Sequence, residues 1–268
     1  MEEPSAAVAR RTGVVDRAFS ILAAFDERHA ALSLTAIAGR AGLPINSALR
    51  IVRSLVGVGA LERRDDGLYV VGLRLFEIAA LAPRSQGIRR IAMPFLQDLH
   101  AVTEEHVLLT VREGDEAVLI ERLSARGAGR VAYRVGGRLP LHGTGGGLVL
   151  LAHSPREVQE AMIAHADVDL TGPGRLAFPT GDELRRRLAA IRQEGSLVFA
   201  ASAVDGMGTV AAPVFGRARE VVAAVSVVAP ADKQVLEGLL PAVRVTARAV
   251  SGALEPRRPT AGWKSPPR

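Results

Sequence analysis

Residues 33–72 read SLTAIAGRAGLPINSALRIVRSLVGVGALERRDDGLYVVG, and their punctuation decides the fold of the first part of the chain. Two short helical patterns meet at Gly42-Leu43-Pro44. Ser33 or Thr35 can cap the first, and Asn46 or Ser47 the second. Each offers a side-chain oxygen to the unpaired N–H groups of a first turn. Gly42 and Gly59 stand where each helix can end in a left-handed conformation. Strand-like runs at 61–63 and 68–71 flank Asp66-Gly67, a hairpin signal. Helix, tight turn, helix and ribbon together outline a winged helix-turn-helix.

The second helix has two chemically distinct faces. At about 100° per residue with Asn46 at zero, Arg50 falls near ~40° and Arg53 near ~340°. Leu55, Ala48 and Val52 fall near ~180°, ~200° and ~240°. One face is therefore aliphatic and packs inward, while the other presents Asn46, Ser47, Arg50 and Arg53. Arginine forks onto guanine or phosphate and asparagine pairs with adenine, so this face suits a DNA major groove. Arg63 and Arg64 at the ribbon tip are placed to reach a flanking phosphate. The competing reading is a solvated polar face on a small helical domain.

The stretch resembles the DNA-binding domain of the IclR family of bacterial transcription regulators. The resemblance rests on IAGRAGLP, on the helix with Arg50 and Leu55, on VGVGALER and on YVVGLRLFEIA. It implies that Thr35, Asn46, Ser47, Arg50, Arg53, Arg63 and Arg64 contact DNA. One departure is Ile45, where many members carry a basic residue after the Leu-Pro.

A chain of 268 residues accommodates two domains, and a hydrophobic content of 48% supplies their cores. No apolar run reaches the ~18 residues of a membrane span. The start, MEEPSAAVARR, lacks a signal-peptide core. With no cysteine there is neither a disulfide framework nor a thiolate metal site. The expected location is cytoplasmic, with no membrane partner and no cofactor. The net charge of +6 says little about nucleic acid, because Arg257, Arg258, Lys264 and Arg268 lie in a tail without acids. The argument for DNA rests on where charge is placed.

Residues 1–12 read as a mobile arm, and 13–72 as the winged helix-turn-helix domain. Within it, a first helix over 14–25 carries an apolar stripe of Val15, Ala18, Phe19, Leu22 and Phe25. His29 follows in a loop as a solvated residue. A linker helix and hinge span 73–87, with Pro83 expected to stop the helix. The second domain, 88–255, opens with a helix over 88–104 that has Pro94 near its first turns. Strand periodicity follows from His106, in a hairpin around Gly114-Asp115 and a weaker pair over 125–141. Helices are expected at 155–165, 180–194 and 233–254. Thr180 and Gly195 cap the middle one. A buried hairpin turns around Gly216-Arg217. This order is that of an α+β fold with helices on a mostly antiparallel sheet. Residues 256–268 are expected to be a disordered basic tail.

The second domain also resembles the IclR family. Residues 139–152, LPLHGTGGGLVLLA, match the pattern LPLHATAxGKALLA, and 209–230 match the closing hairpin. The resemblance spans residues 14–255 and implies a GAF-like effector domain for a small metabolite. By motif, Thr144, Gly145 and Gly146 line one side of its pocket. Phe199, Met207, Thr209, Ser226 and Val228 line the other. Members that bind small oxoacids carry an acid where Phe199 falls, often Cys at Thr209 and a second Ser at Val228. The acidic stretch before the glycine is reduced to Asp205. Each pocket position can equally be core packing.

The glycine-rich run 143–147 is not a phosphate loop, because Leu148 and Val149 stand where Lys and Ser or Thr are required. His142, as a base, has only Thr144 as a nearby hydroxyl and no neighbouring acid. His100, His106, His153 and His165 show no metal-ligand spacing. The expectation is therefore a ligand-responsive regulator, a homodimer or dimer of dimers. It would bind a double-stranded, palindromic operator and take an apolar or aromatic acid as effector. The alternatives are a repressor whose second domain only oligomerises, and an enzyme with His142 and Thr144 in a cleft.

Overall fold

In the computed structural model, Ser33 caps a helix whose far end turns through Gly42 at φ +64°. The structure describes residues 13–26, 28–81, 83–124, 134–164, 180–200 and 206–254. The expected arm (1–12), the basic tail (256–268), residues 125–133, His165 and Asp205 lie outside them. Two compact units meet in sequence between Ala82 and Pro83.

The first unit holds α1 (Val14–Leu22), β1 (Ala31–Leu32), α2 (Leu34–Arg40) and α3 (Ile45–Gly57). After them come β2 (Leu61–Arg63), β3 (Tyr69–Val71) and α4 (Leu73–Ala79). Ile21, Ile37, Ala48, Val52 and Leu61 are fully buried together, so α1, α2, α3 and the ribbon share one core. The ribbon has a third strand, since β1 pairs with β3 on the side opposite β2. Gly59 and Gly67 both have positive φ, as their turns require.

Two sequence expectations are corrected here. Neither Asn46 nor Ser47 caps α3. The helix begins directly after Pro44, which has no side-chain oxygen, so both polar residues fall within the first turn. Of the stripe expected for the first helix, Phe25 is buried and Ala18 and Leu22 pack against the core, but Val15 and Phe19 are 64% and 67% exposed, and Ile21 and Ala24 are buried beside them. That segment is apolar on more than one side, so periodicity alone does not separate the residues that meet the core from those that do not.

Asp26 fastens the loop after α1 to α2. Its carboxylate accepts from the backbone N–H groups of Arg28 and His29 and pairs with Arg40, whose Nε also donates to Ala24 C=O at 2.6 Å. His29, expected as merely solvated, has its Nδ1 2.9 Å from Asp26. Burial pushes the Asp26 carboxyl up, but the His29 and Arg28 hydrogen bonds and the Arg40 charge outweigh it. They hold the group at about 2, below the usual 3.8. A depressed carboxyl contributes stability above its unfolded value and loses it as pH falls through the folded one. Asp26→Asn is therefore expected to lower the melting midpoint by a few degrees at pH 7. The difference from wild type should shrink as pH falls from 3.8 to about 2. An equal midpoint at pH 7, by circular dichroism, would remove Asp26 from this role.

The second unit starts with α5 (Pro83–Thr103). Pro83 follows the boundary between the two units and is the first residue of α5, five residues before the start expected for this helix. It opens this helix, where its missing N–H costs nothing and its ring presets φ. Pro94 consequently sits in the helix interior, not near its start. Next come β4 (His106–Glu113), β5 (Glu116–Leu123), β6 (Arg138–Pro140), α6 (Gly145–Ala152), α7 (Arg156–Ala164) and α8 (Gly181–Glu194). The unit closes with β7 (Leu197–Phe199), β8 (Met207–Phe215), β9 (Val221–Pro230) and α9 (Lys233–Leu254). The strands form one sheet in the order β6-β5-β4-β9-β8-β7, antiparallel throughout. Thr180 accepts from Glu183 N–H, and Gly195 closes α8 at φ +67°.

Alternation along the strands splits the sheet into two faces. Val107, Leu109, Val210, Val225 and Val227 pack on α5 and α9. Ala117, Phe199, Ala211 and Ala224 pack on the side of α6 and α8. Among the described residues no helix is long and apolar enough to cross a membrane. Among them, too, no cluster of His, Asp and Glu could hold a metal.

Candidate nucleic-acid interface and effector site

Asn46, Arg50 and Arg53 are exposed on one side of α3, and Ser47 is half-buried beside them. Ala48 and Val52 are fully buried on the other side, so packing pins the helix rotation and the polar face cannot turn inward. Thr35 is exposed in the first turn of α2. Arg53 and Arg63 open into one shallow groove with Leu34, Leu49 and Tyr69. The Arg63 guanidinium lies 5.8 Å from the centre of the Tyr69 ring, which orients it. Arg64 is held by Asp66 at 3.0 Å, so part of its charge is compensated within the ribbon tip.

In the second unit the site is built where α6 meets the middle of the sheet. A Cβ on Gly145 would lie 2.5 Å from Thr209 Oγ1, and one on Gly146 would lie 3.1 Å from Thr110 Oγ1. The same Gly146 position is 3.7 Å from Ser226 Oγ. Only glycine lets the helix start this close to three side-chain hydroxyls. Those hydroxyls come from β4, β9 and β8, three neighbouring strands. Thr209 is 5% exposed, and its hydroxyl oxygen is buried without a hydrogen-bond partner. Thr144 caps α6 by accepting from Gly147 N–H at 3.0 Å. The N–H groups of Gly145 and Gly146 have no partner within the helix. The start of α6 thus offers two backbone donors beside hydroxyls, a fit for an anionic oxygen.

Beside this polar end lies a small apolar cluster of Leu108, Leu119 and Val228, with Met207 against it. Phe199 sits one strand further on, paired in register with Thr209, and Arg187 lies 5.4 Å from its ring centre. It belongs to the core around α6 and α8.

Residues 14–65 match the IclR helix-turn-helix domain, and residues 80–252 match the C-terminal domain of bacterial transcriptional regulators of the IclR type. The chain belongs to the IclR family of transcriptional regulators. It is 30% identical over 196 residues to the HTH-type transcriptional regulator KipR of Bacillus subtilis, covering 73% of this chain and 78% of that protein. It is 29% identical over 247 residues to the transcriptional repressor AllR of Escherichia coli, covering 90% and 89%. Among solved structures it resembles an IclR homolog from Microbacterium hydrocarbonoxydans complexed with 4-hydroxybenzoate. The TM-score there is 0.83 and the identity 32%, over 90% of this chain and 99% of that one. It also resembles the Thermotoga maritima IclR, with a TM-score of 0.70 and 26% identity over 90% and 98%.

As an IclR-family member the chain is a DNA-binding regulator and not an enzyme. The cleft reading of His142 and Thr144 falls with that, and the Thr144 hydroxyl is occupied as a helix cap. Of the pocket residues expected from sequence, the fold brings Gly145, Gly146, Thr209 and Ser226 together at one end. Met207 and Val228 lie in the apolar cluster beside it. Thr110, Leu108, Leu119 and His106 were not anticipated. Their signal was the parity of His106, Leu108 and Thr110 in strand β4, which puts one imidazole and one hydroxyl on the face of α6.

Proposed function

We propose that this IclR-family regulator is switched by an apolar or aromatic monocarboxylate seated at the start of α6, and that it works as a dimer on paired operator half-sites. The observation that carries the ligand reading is the buried, unpartnered Thr209 hydroxyl directed at Gly145. A buried polar group without a partner costs free energy, and a carboxylate oxygen would satisfy it together with the glycine N–H groups. Leu108, Val228 and Met207 then hold the rest of the molecule, at about 25 cal/mol per Å² removed from water. The relative that binds 4-hydroxybenzoate supports this class.

The dimer reading rests on the first unit. Val15 and Phe19 of α1, with Leu73, Phe76 and Ile78 of α4, are exposed, which is more large apolar side chain than one small unit normally leaves open. Two-fold pairing would cover them and set two α3 helices on adjacent half-sites. Effector binding then shifts the population between dimer arrangements. Light scattering at micromolar concentration should give at least a dimer, and a monomer with and without DNA would sink this part.

Calorimetry on the full chain tests the ligand. Benzoate-like acids are expected to bind more tightly than glyoxylate and pyruvate, and Ser226→Ala should weaken benzoate by about tenfold, the scale of one hydrogen bond to a charged group. Tight binding of the oxoacids alone would show that the apolar end is misread. A gel shift on a duplex selected from a random pool should then respond to the same acid.

A further inference from the structure

Two neighbouring rungs of β4 and β5 carry residues of the candidate effector site on one face of the sheet and a buried ion pair on the other. Thr110 pairs with Leu119 and Leu109 with Glu121, so Ile120 is an extra residue in β5, a bulge. Thr110 approaches Gly146 of α6, and Leu119 belongs to the apolar cluster beside it. Leu109 and Ile120 instead pack toward α5 and α9. Glu121 points the same way, because its Oε2 accepts from Arg89 Nε of α5 at 2.6 Å. Its Oε1 accepts from the Arg122 N–H at 2.9 Å. The carboxylate is buried while the Arg89 side chain is 41% exposed, so the pair pins the outside of α5 to a point within the sheet. A buried charge of this kind is tolerated only with its partners in place.

The turns of α5 around Arg89 are held less firmly than the rest of that helix. Ala92, Leu96 and Leu99 are buried against the sheet, whereas Ile88 and Ile91 are half-buried. These two line an open groove of about 550 Å³ with Val111, Val222 and Leu254. Pro94, inside the helix, has no N–H to donate to the Arg90 carbonyl, which favours a kink there. The first turns thus have a pivot, space to move into and a polar tie to the bulge, and they follow the first unit directly in sequence. We infer that the Arg89–Glu121 pair is a latch on the first turns of α5, released when a ligand seated at α6 displaces the bulge at Ile120. This rests on the α6 site proposed above. The ladder is already interrupted at a bulge, so that rung yields before regular ones do. Arg89 and Glu121 are positioning residues, acting through the strand and not on the ligand.

Amide hydrogen exchange on the full chain tests the latch without any ligand. Arg89→Ala, at a half-exposed position, and Glu121→Gln should each raise exchange over residues 87–93 by about tenfold, the scale of one hydrogen bond to a charged group, and leave 95–103 unchanged. Arg89→Lys, which keeps a cation for Glu121, should stay near wild type. Benzoate should raise exchange over the same residues in wild type. In gel shifts it should change wild-type affinity for the selected duplex by about fivefold or more. Both latch variants should show the benzoate-bound affinity before benzoate is added, and respond to it by less than about twofold. Unchanged exchange over 87–93 in both variants overturns the latch, whether or not a ligand binds. If benzoate binds by calorimetry but leaves wild-type exchange and DNA affinity as they were, or if the variants respond to it as wild type does, the coupling is overturned while the α6 site stands. If benzoate does not bind, or Ser226→Ala does not weaken it, the α6 site fails and release by ligand fails with it.

Discussion

Gly147→Ala is expected to destabilise the effector domain by about 2–4 kcal/mol, combining overpacking with loss of a cap. A Cβ at this position would stand 2.3 Å from the Leu141 carbonyl oxygen and 2.7 Å from Thr144 Oγ1. Leu141 is fully buried in the short turn before α6, so its backbone cannot retreat. Thr144 could swing away, but it would then release the Gly147 N–H it holds at 3.0 Å. In an exposed helix the same change would gain about 0.8–1.0 kcal/mol of helix propensity. Here the backbone contact wins, because every residue of α6 is buried and the helix has no free side to shift into. Thr144→Ala separates the two effects, since it removes only the cap and should cost about 0.5–2 kcal/mol. Urea melting of the full chain is the measurement, with the transition of the second unit followed by itself. A Gly147→Ala protein as stable as wild type would mean that α6 does not approach Leu141 this closely.

The DNA-binding unit was legible because its signals are local. Ser33, Gly42, Gly59 and Gly67 each act within four residues of themselves, and each does what its type allows. The failures there have equally local causes. Strand β1 is two residues long, too short to show a period. The helix expected to stop before Pro83 does stop, at Ala79, and Pro83 opens the next one. In α1, Val15 and Phe19 have the same composition as core residues. Sequence cannot separate a face that meets the core from one left for another surface.

The candidate effector site is legible only in part, because its geometry is long-range. Motif resemblance points to Ser226 and Thr209, which the fold places against Gly146 and Gly145. Thr110 was missed because it reaches them through the pairing of β4 with β9, strands more than a hundred residues apart in the chain. A bulge between Leu109 and Thr110 also moves Leu119 opposite Thr110, which no alternation rule supplies. Thr144, expected to line the pocket, also caps α6 by accepting from the N–H of the glycine three residues on. That helix-start pattern was visible in the sequence.

Arg50→Ala should weaken specific DNA binding by about 1–3 kcal/mol, roughly 5- to 150-fold. Arg50 stands one turn after Asn46 on the exposed side of α3, and it has no ion-pair partner among the described residues. Its guanidinium is therefore uncommitted, whereas Arg64 already shares charge with Asp66. Alanine is the better helix former, and Ala48, Val52 and Ile51 hold α3 from the opposite side. Loss of affinity would then report the missing contact and not a melted helix. A base contact and a phosphate contact predict different patterns. If Arg50 forks onto a base, the loss should be large on the selected duplex and small on a duplex changed at that one pair. Arg63→Ala should instead weaken both duplexes alike and reduce the salt slope by about one. Gel-shift titrations at two salt concentrations separate these outcomes. Unchanged affinity of a folded Arg50→Ala protein for the selected duplex would take the α3 face out of the groove.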